Sequence, residues 1–97
     1  MKLKHHYHNA KVVSVQYRED DIIVNFTLCG CCNPTPGACA TLIFTGVRNL
    51  KEVREAFTEA IAQPCSECVG IVRENSDYFI DLSTAAIRID ARGLIEA

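Results

Sequence analysis

Tryptophan is absent from these 97 residues, and the other aromatics are few, three Tyr and four Phe. Any core must therefore be built mainly from Val, Ile, Leu and Ala. No run approaches the ~18 apolar residues that a membrane-spanning helix needs. A basic excess is missing as well. The net charge is -2 and the pI about 5.9, which argues against nucleic-acid binding, where a basic stripe is expected. The only locally basic stretch is Lys2, Lys4 and Lys11, which reads as a solvated terminus. An apolar run is also lacking after Lys2 and Lys4, where His5-His6-Tyr7-His8-Asn9 stands instead. No secretory signal is expected, and the chain reads as cytoplasmic. H-E-x-x-H, G-x-S-x-G, P-loop and dinucleotide fingerprints do not occur, which makes an enzyme the least favoured class. There is no internal repeat, low-complexity tract or linker.

What is present is a chain long enough for one modest core, read as a single domain over 1–97 with 1–9 as a flexible lead-in. Residues 10–18 alternate, with Val13, Val15 and Tyr17 on one face and Val12, Ser14 and Gln16 on the other. Glu19-Asp20-Asp21 is a polar break. Residues 22–28 alternate again, and the two runs predict a hairpin. A third strand is expected over 40–47. Asn49 should cap a helix with its side chain while Glu52 reaches back, as in a capping box. Leu50, Val53, Phe57 and Ile61 would form its apolar stripe, and Pro64 would end it. Strands follow at 69–73, 78–82 and 86–91, and the last residues are expected to fray. The fold class is α+β, with a single helix packed on a mostly antiparallel sheet in the order βββ-α-βββ.

In layout the chain resembles small uncharacterised bacterial α+β proteins, some of them immunity-like proteins of toxin systems. His8-Asn9-Ala10, Leu42-x-Phe44-x-Gly46-Val47 and Ile87-Arg88-Ile89-x-Ala91 carry the likeness. The resemblance implies a non-enzymatic binding or adaptor role and supplies no functional residues.

The six cysteines lie outside that pattern. Four fall in one loop, Cys29-Gly30-Cys31-Cys32-Asn33-Pro34-Thr35-Pro36-Gly37-Ala38-Cys39, and Cys65 and Cys68 follow the helix. Cys29/Cys32 and Cys65/Cys68 are two C-x-x-C pairs, the spacing with which thiolates reach one tetrahedral ion. Zinc or a similar soft metal on Cys29, Cys32, Cys65 and Cys68 is one reading, with Cys31, Cys39 and His8 as secondary ligands. Buried thiols acting as small hydrophobes are a second reading, and a disulfide is a third. Redox catalysis fits less well. Cys65 and Cys68 follow a helix C-terminus, where the dipole disfavours thiolate, so the thiols are expected not to be acidic. A Cys–His nucleophilic site has no further support, and His5, His6 and His8 read as exposed tail residues.

Two spatial expectations follow. One helix cannot cover six strands, and Val12, Ile23, Ile43, Val47 and Phe79 would share the opposite face with Ser14, Asn25, Thr27 and Arg88. That predicts a homodimer through the sheet, or else a sheet curled over these residues. Up-and-down connections would bring all the cysteines and histidines to one end.

Overall fold

A computed structural model describes residues 3–29, 38–63 and 67–97. Among them the chain forms, in order, β1 Lys11–Arg18, β2 Asp21–Thr27, β3 Cys39–Thr45, α1 Leu50–Ile61, β4 Cys68–Glu74, β5 Asp77–Leu82, β6 Ala86–Asp90 and β7 Gly93–Glu96. The protein is a small α+β fold with one helix and two antiparallel sheets. The expected single sheet is divided in two, β1-β2-β3-β7 and β4-β5-β6. The division answers the covering problem, because each sheet turns one apolar face towards the other and the helix need not cover every strand.

The β1–β2 hairpin turns through Glu19 and Asp20, with Arg18 opposite Asp21 and Glu19 at φ 55. In β2 and β3 the alternation is obeyed strictly. Ile22, Val24 and Phe26 face inward beside Ala40, Leu42 and Phe44, and all are buried. The other sheet supplies Tyr78, Ile80, Leu82, Ile87 and Ile89. Phe44 meets Tyr78 edge-on, with centroids 5.7 Å apart, so the two sheets share one core.

β1 departs from its alternation. A bulge between Val12 and Ser14 inserts an unpaired residue, which shifts the phase of the strand. Val13, expected to share a face with Val15 and Tyr17, is 61% exposed. Val12 instead packs against the core with Val15 and Tyr17. Residues 93–96 do not fray but form β7, held against β3 with Phe44 opposite Leu94 and Leu42 opposite Glu96.

The helix forms where its apolar spacing predicts, burying Val53, Phe57 and Ala60. Ile61 was expected on that stripe, yet it is half exposed and Ala60 takes the place. The capping box is not made, and Asn49 has no side-chain bond to the helix. Its amide nitrogen donates to the Arg88 carbonyl (3.0 Å), and its oxygen accepts from the Asp90 amide (2.9 Å). Both groups lie on the free edge of β6, and an unpaired edge is costlier to leave bare than an exposed first helical turn. Glu52 pairs with Arg88 instead (2.9 Å).

Candidate functional site

The hydrogen-bond ladders place the candidate cysteines. Lys11, at the start of β1, lies opposite Thr27 at the end of β2, and Thr27 lies opposite Cys39 at the start of β3. Lys11 also bridges to Glu67. Cys29, Cys39 and Cys68 therefore come to the same end of the fold, and His8 joins them through a contact between its Nδ1 and the Val69 carbonyl (3.3 Å). The Leu28 amide donates to the Ala38 carbonyl (2.8 Å), which closes the base of the cysteine loop. A surface hollow of about 470 Å³ opens there, with Lys11, Thr27, Cys29 and Glu67 in its lining.

The three described cysteines differ in setting. Cys39 is exposed, Cys29 is half-buried and Cys68 is wholly buried. Cys68 turns into the core, and its thiol lies 3.7 Å from the Gly70 carbonyl. Burial pushes that thiol up to about 11, although the Gly70 bond opposes the shift. Among the described residues no three His, Cys, Asp or Glu side chains gather in a way that could hold a metal ion. Cys31, Cys32 and Cys65, the remaining members of the proposed cluster, lie outside the described residues.

A second feature lies on the outer face of the four-stranded sheet. Gln16, Ile23, Ile43 and Ile95 form one row across the strands, and Ser14, Asn25 and Thr41 form the next. No side chain in either row is charged. Asn25 joins its row, donating to Ser14 Oγ (2.9 Å) and accepting from Thr41 Oγ1 (2.8 Å). Ile95 is 53% exposed. The face is not the one drawn from the sequence. Val12 and Val47 turn to the core, and Phe79 and Arg88 belong to β5 and β6 of the other sheet. Ile23, Ile43, Ser14, Asn25 and Thr27 remain.

A third feature was not anticipated. Glu96 faces inward on β7 and receives the Tyr7 hydroxyl (2.6 Å), the His5 amide (3.2 Å) and the Lys4 amide. Tyr7 is buried, its ring edge-on to Phe26 at 5.1 Å. Burial, reinforced by the bond to Glu96, pushes the tyrosine well above its ordinary value. For Glu96, burial acts upward, but the bonds from Tyr7, Lys4 and His5 outweigh it and hold the carboxyl below the usual range. The sequence carried one signal of this, a carboxylate at the inward phase of a strand otherwise built from Leu94 and Ile95.

Compared with known proteins, the chain matches no family model, no curated protein and no solved structure. Among the described residues no helix is long and apolar enough to cross a membrane.

Proposed function

We propose that this protein is a non-enzymatic binding module that docks through the outer face of the β1-β2-β3-β7 sheet, and that a second copy of the chain is one of its partners. The observation that carries the reading is the uncharged pair of rows centred on Ile23, Ile43 and Asn25. Dehydrating uncharged side chains costs far less than burying ions. Strands ~4.8 Å apart give a four-stranded face roughly 20 Å across, at the small end of the interface range. A two-fold arrangement suits such a face, because it then meets its own image. The partner-binding role implied by the likeness to immunity-like proteins points the same way.

The test is the mass in solution. Light scattering at high micromolar concentration should give a dimer. Ile43→Lys should give a folded monomer, since a desolvated ammonium facing its own copy costs several kcal/mol. A wild-type monomer at that concentration would refute self-association.

A second reading has one observation in its favour, the hollow shared by Cys29 and Glu67. In it the cysteine cluster of Cys29, Cys32, Cys65 and Cys68 holds zinc. The buried Cys68 thiol would have to turn outward to join. Elemental analysis of protein purified under reducing conditions decides it. About one zinc per chain supports this reading, and a metal-free folded protein removes it.

A further inference from the structure

Each sheet ends in two edge strands, and they are not alike. The β6 edge is covered by the Asn49 side chain and by the Arg48 amide, which donates to the Asp90 carbonyl (2.8 Å). β1 is broken by its bulge and joined at its start to Glu67. β7 has only four residues. β4 is longer, and only its first part is occupied. The Asn9 amide donates to the Cys68 carbonyl (2.7 Å), the Cys68 amide donates to the Ala10 carbonyl (2.8 Å), and His8 Nδ1 touches the Val69 carbonyl (3.3 Å). From Gly70 to Glu74 the strand runs in regular register against β5. Among the described residues nothing pairs with the other side of that stretch.

The hairpin decides which groups the open side presents. Glu74 faces Asp77 across the two-residue turn Asn75-Ser76, and residues flanking such a turn exchange both backbone bonds. Alternation then aims the amide and carbonyl of Val72 at β5, and those of Ile71 and Arg73 outward. An edge of this kind is a template for another strand. The side chains beside it set what that strand must carry. On the outer face Val72 is exposed next to Phe79, so an apolar residue belongs opposite Val72. In the next row Glu74, Asp77 and Asp90 stand side by side. Arg88 and Arg48 are the counter-ions of Asp77 and Asp90, whereas Glu74, at the open end of the row, has none among the described residues. Arg73 is engaged elsewhere. Its guanidinium lies over the Tyr78 ring, 5.3 Å from the centroid, and its Nε donates to the Asn75 carbonyl (3.2 Å). The row therefore lacks a cation where a further strand would lie.

We propose that the β4 edge receives an extended segment of another protein as a fourth strand of its sheet, bonded to the backbone of Ile71 and Arg73, and that this segment carries a lysine or arginine opposite Glu74 and an apolar residue opposite Val72. A second copy of the chain does not meet that demand. Antiparallel self-pairing about a two-fold axis, with Ile71 and Arg73 bonded, puts Cys68, Gly70 or Val72 opposite Glu74 and never a cation. The edge is separate from the outer face of the four-stranded sheet, so either surface can fail its test without the other.

Amide NMR of the isotope-labelled full chain, titrated with the blocked peptide Thr-Lys-Thr-Val-Thr-Val-Thr, tests this. The Ile71 and Arg73 amides should shift and saturate. With Lys opposite Glu74 and the first Val opposite Val72, the Thr residues on either side of that Val face Arg73 and Ile71 and make the backbone bonds. N-methylation of those two Thr residues should abolish binding, and N-methylation of the first Val should leave it intact. Replacing the peptide's Lys with Glu, or Glu74→Gln in the protein, should weaken binding roughly twofold to fivefold. Glu74→Lys should reverse the preference between the two peptides. No saturable shift of the Ile71 and Arg73 amides at millimolar peptide overturns the strand addition. Binding that is indifferent to which amides are methylated also overturns it, and would mean adhesion to the acids alone. Equal binding of the Lys and Glu peptides overturns the cation opposite Glu74.

Discussion

The two sheets have similar inner faces and opposite outer ones. Inward, Ile22, Val24, Phe26, Leu42 and Phe44 of one sheet meet Tyr78, Ile80, Leu82, Ile87 and Ile89 of the other, all buried. Outward, the four-stranded sheet carries its uncharged rows, while the three-stranded sheet places Glu74, Asp77 and Asp90 side by side in one row. Acids directly opposite one another repel. Two arginines offset them, Arg88 on Asp77 (3.2 Å) and Arg48 on Asp90 (3.2 Å). Asp81 adds another acid four residues along β5. The inner faces are alike because both must pack into one core. The outer faces are under no such demand, so their difference points to use. The row of acids is held in water by its ions, whereas the uncharged rows can be dried at low cost, although the three-stranded sheet also carries an apolar pair, Val72 opposite Phe79, on its outer face.

The larger of two effects that sharpen this contrast belongs to Asn25. It is half-buried and bonded on both sides, so its ladder organises the uncharged face without any ion. Asn25→Ala removes both bonds and leaves the Ser14 and Thr41 hydroxyls to partial solvent. The expected loss is about 1–2 kcal/mol, read as a lower urea midpoint at unchanged m. Because no charge is involved, the loss should be the same in low and high salt. A loss that salt abolishes would mean that the face is not electrostatically neutral in practice.

Much of the fold was legible along the chain, since alternation and helical spacing are local signals. The β1–β2 hairpin, the helix and the chain order of the first six strands were readable for that reason. What could not be read depended on partners remote in sequence. The split into two sheets is a matter of which strands pair, and alternation marks faces without naming neighbours. The bulge at Val13 moves a residue across the sheet with no local mark, because Val suits either side of a strand. Asn49 was expected to cap the helix, but its side chain goes instead to the β6 edge, some forty residues away. The convergence of Cys29, Cys39 and Cys68 followed from counting traversals. The inward turn of the Cys68 thiol did not, since it rests on packing against β5. The role of Glu96 leaves little local mark, because its partners sit at the other end of the chain.

The smaller effect belongs to Arg88, on the charged face. Its guanidinium reaches Glu52 on the helix and Asp77 on β5, and the two bonds, with the hydrogen bond to Glu52 foremost, raise an already high pKa. Such a hub looks stronger than Asn25 on paper, yet it faces water, where ion pairs are screened and contribute little. Arg88→Met keeps the aliphatic stem against Phe79, its cross-strand neighbour, and removes only the charge. The expected destabilisation is smaller than that of Asn25→Ala in low salt. It should shrink further as salt rises, because the Debye length falls to about 3 Å near 1 M. What remains is the mutual repulsion of Glu74, Asp77 and Asp90, which salt also screens, so the variant and the parent should converge. Parallel urea titrations at low and high ionic strength provide the measurement. If Arg88→Met destabilised the protein more than Asn25→Ala in both, the ions would be structural rather than solvated, and the acidic face would lose its claim to be the one kept in water.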